Sequence, residues 1–200
     1  MQHIETDKLQ LVIDRQEIEQ LLRLYCRAID RLDVELLRSI YHPDGVDAHG
    51  QFEGNAHEFA GFIIDYLRKN TSYCFHTITQ SIIDVEGDVA AAESTYIGYE
   101  RIPGGWESLS GFFGKRYAAA AREAGTLERE HQHTCGGRYI DRLEKRRGEW
   151  KVLRRRITNE WNECQVTSHI WDDGNLANYN LPGTRDRGDP VYANLLSKAR

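Results

Sequence analysis

The chain has 200 residues, 40% of them hydrophobic, and a net charge of 26 − 31 = −5 at pH 7. That is enough apolar material for one sizeable core, and it leaves little room for a second domain. The acidic balance, with a pI near 5.9, excludes a general nucleic-acid binder, which needs a clustered basic surface. No run reaches the ~18 apolar residues of a membrane span, and the opening MQHIETDKLQ lacks a charged-then-apolar leader, so a cytoplasmic protein is expected. Cys26, Cys74, Cys135 and Cys164 are scattered without CxxC spacing, which predicts buried free thiols rather than a zinc or redox site.

Ile13, Ile18, Leu21, Leu22, Leu24, Tyr25, Ala28 and Ile29 recur at helical spacing and predict an amphipathic helix from near Asp14 to Asp30. Its apolar stripe centres near Tyr25 and Ile29 and ends at Cys26, with Asp30 just beyond the border. Asp33 is placed to cap a short helix, Val34 to Tyr41, that His42-Pro43-Asp44-Gly45 stops. Extended segments are expected around Val46 to Ala48 and Gln51 to Glu53. Asn55-Ala56-His57-Glu58 then opens a third helix running to about Arg68.

After Asn70 the pattern changes. Tyr73 to Val85 and Val89 to Ile102 are rich in β-branched and aromatic residues and flank the turn Glu86-Gly87-Asp88. Cys74, His76, Ile78 and Gln80 share one face of the first strand. Pro103 to Glu128 interrupts the sheet, and its alanine run predicts a helical excursion. Glu130 to Glu144 and Glu149 to Trp161 complete the sheet across the turn Arg146-Arg147-Gly148.

That last hairpin is unusually charged. Alternation puts Tyr139, Asp141 and Leu143 on one face, and Leu153, Arg155, Ile157, Asn159 and Trp161 on one face of its second strand. A surface mixing Leu, Arg, Ile, Asn and Trp suits the wall of a polar pocket, or else a solvated face. His131 and His133 also share a face, but two histidines without a third nearby ligand do not make a metal site, and none is expected. The tail, 163–200, carries Asp-Gly, Pro-Gly and Arg-Gly-Asp-Pro clusters and reads as an irregular segment wrapping the domain, 1–162, or a partner.

Three residue stretches carry a resemblance to a known family: EIEQLLRLYCRAIDRLD at Glu17 to Asp33, FHTITQ at Phe75 to Gln80, and GGRYIDRLEKRRGEWKVLRR at Gly136 to Arg155. In this order, after three helices, they resemble the SnoaL-like group of the nuclear transport factor 2-like superfamily, which includes scytalone dehydratase, hexachlorocyclohexane dehydrochlorinase and bile acid 7α-dehydratase. The resemblance implies a cone-shaped α+β barrel, three N-terminal helices packed on a strongly curved, mostly antiparallel sheet around a mainly apolar pocket. It also implies that Asp30 orients His76, and that His76 takes the substrate proton without cofactor or metal. Arg155 falls where the dehydrochlorinase has an arginine that steadies a departing anion, although Arg154 and Arg156 make that placement depend on register. Tyr25, five residues before Asp30, either reaches into the pocket to bond a substrate oxygen or is a helix-packing residue. Tyr139 and Asn159 are further candidates for the pocket wall.

The chain also departs from the pattern it resembles. Ile29 stands where scytalone dehydratase has a tyrosine, Ala48 and His49 replace another, and no second histidine occurs from Tyr96 through Arg101. The resulting expectation is a cofactor-independent lyase or isomerase acting on a hydrophobic cyclic metabolite, steroid-like, aromatic or polyketide-like. It would work as a homodimer or higher homo-oligomer, with no nucleic-acid or membrane partner. The alternative is a non-catalytic binding or accessory module, including a β-type subunit of a ring-hydroxylating dioxygenase, since this fold hosts both kinds of protein.

Overall fold

A computed structural model describes residues 2–170, 172–178 and 181–195. Three helices come first: α1 (Gln2–Asp30), α2 (Val34–Ile40) and, after strands β1 (Tyr41–His49) and β2 (Phe52–Asn55), α3 (Ala56–Asn70). Their caps follow from the sequence. Asp33 accepts from the Leu36 N–H at the start of α2, and the Asn55 side chain accepts from the N–H groups of His57 and Glu58 at the start of α3. Strands β3 (Tyr73–Glu86) and β4 (Val89–Ile102) form one hairpin, and β5 (His131–Arg146) and β6 (Glu149–Val166) the other. Arg147 and Gly148 both have positive φ, 56° and 83°, as a two-residue turn matched to strand twist requires.

The six strands lie in the order β2-β1-β6-β5-β4-β3, with β1 parallel to β6 and the other pairs antiparallel. The two ends of this curved sheet do not pair, so the expected barrel is an open one. Helix α1 covers its concave side and lies along the edge strand β3, so that Ile18, Leu22, Tyr25 and Ile29 meet Tyr96, Tyr139, Leu143 and Val152 in the main core. Asp14 of α1 fastens the helix to the charged hairpin: its Oδ1 accepts from Trp150 Nε1 at 2.8 Å and from Lys145 Nζ at 2.7 Å.

Two bulges rearrange the predicted faces of β6. Shifts at Arg142/Leu143 and Gly136/Gly137 make Val152 the partner of Leu143, Arg155 that of Asp141, and Trp161 that of Gly136. Val152 is therefore fully buried, and Trp161, 45% exposed, lies on the convex side over Gly136. The inward row is Val152, Arg155, Ile157 and Asn159, without Leu153 or Trp161. Asn159 is exposed at its outer end. β6 also continues past Asn162 to Val166, so the irregular tail begins later than its composition suggested.

The interruption after β4 is helical, comprising α4 (Trp106–Phe113) and α5 (Lys115–Glu123). It has a small core of its own, with Ile102, Leu109, Ala118 and Ala121 buried and Phe112 and Phe113 against them. His131 pins it to the sheet, one ring nitrogen bonding Tyr117 Oη at 2.8 Å and the other the Thr126 carbonyl at 3.0 Å. The tail, with a short helix α6 (Pro190–Ala193), folds back on the end of α1. Asp189 pairs with Arg31 at 3.0 Å, and Asp33 accepts from Arg187 at 3.1 Å and from Tyr192 at 2.9 Å.

Candidate active site

Asp30 is the last residue of α1, and the edge strand β3 passes directly beneath it. His76 lies in the inward row of that strand, and both its ring and its backbone meet the same carboxylate. Asp30 Oδ1 accepts from His76 Nδ1 at 2.8 Å, and Oδ2 accepts from the His76 backbone N–H at 2.9 Å. An N–H on the free edge of a sheet lacks a strand partner, and here the carboxylate occupies that position. The double contact fixes the ring's orientation and assigns the proton to Nδ1, leaving the Nε2 lone pair turned away from the aspartate. Burial alone would lower the His76 pKa. The bond to Asp30, with the charges of Asp30 and Glu100, outweighs it and raises the pKa above the ordinary 6.5.

Cross-strand register brings in the next groups. His76 is opposite Gly98, Gly98 opposite Cys135, and Glu100 opposite His133. Glu100 Oε2 accepts from His133 Nδ1 at 2.6 Å, and its Oε1 lies 3.7 Å from His76 Nε2. Side-chain exposures of 9% for Asp30, 11% for His76 and Glu100, and 16% for His133 withdraw the four largely, though not wholly, from solvent. Aromatic rings stand beside His133. Phe112 meets the His133 ring edge-on at 5.4 Å and stacks on Tyr66 at 6.4 Å. The excursion thus packs against the end of this cluster. Between α1 and β3 a cavity of about 430 Å³, bordered by Cys26, Arg27, Ile78 and Val191, also reaches Asp30 and His76.

Gly98 keeps the space beside the imidazole clear. A methyl group there would lie 3.3 Å from His76 Cδ2, 3.4 Å from Nε2 and 3.2 Å from Cys135 Sγ. Gly98→Ala is expected to displace the His76 ring and lower turnover more than tenfold while costing about 1–3 kcal/mol in stability. Unfolding titration beside steady-state kinetics separates the two, and unchanged turnover would show that the ring has room to spare.

Among the described residues, two sets of three metal-type donors each have their ligand atoms within 4.8 Å of one another: Asp30, Cys74 and His76, and Glu100, His133 and Cys135. Glu100, across the sheet, is the third donor that the sequence reading of His131 and His133 lacked, whereas both ring nitrogens of His131 are engaged elsewhere. Burial pushes the thiols of Cys74 and Cys135 up to about 12, so both are protonated at neutral pH.

Tyr25, Tyr139 and Arg155 are brought together deeper in the sheet. Arg155 is fully buried, with Nε and Nη2 on the two oxygens of Asp141 at 2.8 and 2.7 Å. Its guanidinium lies 4.0 Å from the Tyr25 ring centre and 4.4 Å from that of Tyr139. Burial opposes the charge on Arg155, but the Asp141 carboxylate more than reverses that and keeps it protonated. Burial likewise pushes the Tyr25 phenol far up, so it stays neutral. Beside them Tyr41 Oη donates to the buried Asp47 at 2.6 Å, and Asp47 is the β1 partner of Arg155. Tyr139 stacks on Tyr96 at 4.5 Å, which connects this cluster to the strand carrying Gly98 and Glu100. Expected as candidates for the pocket wall, Tyr25, Tyr139 and Arg155 are here packed on one another, each no more than 1% exposed.

A SnoaL-like domain model matches residues 10–156, nearly three quarters of the sequence. The chain belongs to the SnoaL-like family. Its fold is shared by solved structures of low sequence identity. A hexachlorocyclohexane dehydrochlorinase, LinA-type3 from Novosphingobium barchaimii LL02, superposes with a TM-score of 0.63 at 14% identity, over 82% of this chain and 97% of that one. A protein named provisionally as a scytalone dehydratase, from Novosphingobium aromaticivorans DSM 12444, gives 0.58 at 18% identity, over 76% and 87%. A protein named provisionally as an aromatic ring hydroxylase, from a Novosphingobium aromaticivorans strain, gives 0.57 at 18%, over 78% and 94%. No match to a functionally curated protein was found.

Glu100, Asp141 and Phe112 were not among the sequence candidates. A signal existed for two of them. Asp141 stood on the face already assigned to Tyr139, and Glu100 is two residues from Gly98 in an alternating strand. Nothing local marked Phe112, because its position depends on how the excursion folds back.

Proposed function

We propose that this SnoaL-like protein is a cofactor-independent lyase or isomerase in which His76 is the general base and Asp30 its orienting partner, acting on a hydrophobic cyclic carbon acid. The observation that carries the reading is the two-point grip of Asp30 on His76, which turns Nε2 away from the carboxylate and stands beside a cavity of about 430 Å³. A histidine held this way gains basicity at the free nitrogen and loses little orientational entropy on reaction. Tyr25, Tyr139 and Arg155 form the rigid floor behind the site, and Asn159 stands at its outer end. The same proposal takes the protein to be a cytoplasmic homodimer. The alternative of a non-catalytic ligand carrier uses the same cavity without proton transfer.

The probe that tests this is 5-nitrobenzisoxazole, a flat aromatic carbon acid that opens when a general base removes its ring proton. Acceleration by the full chain that disappears in His76→Ala supports the base. Equal turnover by wild type and His76→Ala would overturn it and favour the carrier.

The pH dependence has a definite sign. A base works only when deprotonated, so kcat/KM is expected to rise with pH to a midpoint above 6.5, the direction in which His76 is shifted. For stability the same shift acts in the opposite sense. Its contribution is complete below 6.5 and is lost as pH rises through the raised folded-state value. Urea midpoints measured from pH 6 to 9 should fall more steeply for wild type than for His76→Ala.

A further inference from the structure

Strand register sets five donor side chains around one glycine. On the inward face of the sheet, His76, Gly98 and Cys135 stand side by side on β3, β4 and β5, and Cys74, Glu100 and His133 stand side by side in the next row. The point where a Cβ of residue 98 would stand is 3.4 Å from His76 Nε2 and 3.2 Å from Cys135 Sγ, and the glycine leaves it clear. Glu100 Oε1 lies 3.7 Å from His76 Nε2, and the ligand atoms of Glu100, His133 and Cys135 lie within 4.8 Å of one another. The buried carboxylates of Asp30 and Glu100 pair with no lysine or arginine among the described residues; their partners are imidazoles, which are cations only when protonated. A buried charge is ordinarily matched by a fixed counter-charge or by a metal ion.

We propose that this patch is a metal site for a divalent ion of the zinc type, held over Gly98 by Glu100, His133 and Cys135 with His76 Nε2 as the fourth donor. Sulfur, imidazole and carboxylate in one shell suit Zn²⁺ rather than Mg²⁺ or Ca²⁺, which take oxygen donors. The donor atoms of a tetrahedral zinc shell stand roughly 3.3–3.8 Å apart. The 3.7 Å between His76 Nε2 and Glu100 Oε1 is already of that size. The other donors, spread over 4.8 Å at most, close by about 1 Å. The 2.6 Å contact of Glu100 Oε2 with His133 Nδ1 opens as the ion takes the place of the hydrogen between them, and the Cys135 thiol gives its proton to solvent and binds as thiolate.

The surroundings fit an ion as well as the donors do. A metal-binding imidazole commonly donates its other ring nitrogen to a carboxylate, which fixes the ring. Asp30 holds His76 in that way, at 2.8 Å from Nδ1. Phe112 and Phe113 stand edge-on to the His133 ring at 5.4 and 6.2 Å and shield that side from water. The other donor set, Asp30, Cys74 and His76, has no carboxylate to offer, because His76 engages both oxygens of Asp30. Occupation has a consequence for the proposed reaction. An ion on Nε2 takes the lone pair with which His76 would accept a proton, so the metal-bound protein is silent as a general base. That consequence rests on the reading of His76 as the base; the binding does not.

Titration of the reduced, metal-stripped full chain with Co²⁺ and then Zn²⁺ tests both parts. One equivalent of Co²⁺ is expected to give a near-ultraviolet sulfur-to-cobalt band that Zn²⁺ bleaches. The band should vanish in Cys135→Ser and persist in Cys74→Ser. Glu100→Gln and His133→Asn should weaken Zn²⁺ binding more than about tenfold, and Asp30→Asn, acting through His76, by about 10–100-fold. No uptake, a band that survives Cys135→Ser, or an affinity indifferent to Glu100→Gln and His133→Asn would overturn the site; Cys135→Ala repeats the decision if the serine variant does not fold. Equimolar Zn²⁺ should also abolish opening of 5-nitrobenzisoxazole, and chelation should restore it. Undiminished turnover in the loaded protein would overturn His76 as the fourth donor. If the metal-free chain does not open the benzisoxazole at all, the base reading falls, and the cobalt spectrum still decides the metal site.

Discussion

Arg155→Met is expected to destabilise the protein by about 3–5 kcal/mol, the usual consequence of leaving one member of a buried ion pair without the other. Arg155 and Asp141 both have fully buried side chains, and two of the guanidinium nitrogens are bonded to the carboxylate. In the variant the Asp141 carboxylate keeps its desolvation cost and loses the charge that offset it. Two ring contacts, to Tyr25 and Tyr139, go with it. The double variant Arg155→Met/Asp141→Leu should recover most of the loss, since neither charge then remains buried. Urea unfolding checks this: the midpoint should fall in the single variant with the slope unchanged, and rise again in the double. A single-variant loss under about 1 kcal/mol would mean that Asp141 finds another partner.

The second large effect concerns turnover. His76→Ala is expected to lower kcat/KM on a carbon-acid substrate by about 10²–10⁴, the range that a positioned general base contributes. Asp30→Asn should cost nearly as much for a different reason. An amide in place of the carboxylate can turn its NH₂ toward Nδ1, which stabilises the tautomer with the proton on Nε2, where the base must be empty. Its remaining oxygen still accepts from the His76 N–H, so stability should change far less than turnover. ¹⁵N chemical shifts of the His76 ring would report the tautomer directly. Normal kinetics in Asp30→Asn, with the Nε2–H form present, would separate orientation from basicity and remove Asp30 from the mechanism.

Much of this arrangement was legible in the chain. Helical periodicity put Tyr25 and Ile29 on the buried stripe and Asp30 at its border, where a polar side chain can look into a site from a helix end. Strand alternation put Cys74, His76, Ile78 and Gln80 on one face; the first three remain together, but a bulge between Ile78 and Gln80 pairs Gln80 with Thr95 and takes it off that row. The caps at Asp33 and Asn55 and the two hairpin turns were readable because each is decided by a few adjacent residues.

β6 shows where local reading fails. Strict alternation grouped Leu153 and Trp161 with Arg155, but one extra residue at each of two bulges reverses the face of every later position in the strand. Val152 is buried as a result, while Trp161 is on the convex side. A bulge is fixed by the register of the neighbouring strand, which the sequence of β6 alone does not contain. The same holds for Arg155: its place in the inward row survives, but its partner Asp141 comes from across the hairpin.

By itself, then, the sequence determined the order and type of the elements, the caps and turns, the charge class, and the meeting of a helix-one aspartate with a strand histidine, since these follow from near-neighbour periodicity and the family frame. The tertiary structure alone decided that the sheet stays open, that its deep end is filled by a buried ion pair between tyrosines, and that Glu100 stands between two imidazoles. Those outcomes depend on which residues face each other across strands far apart in the chain, and such pairings are selected by the free energy of the whole assembled core.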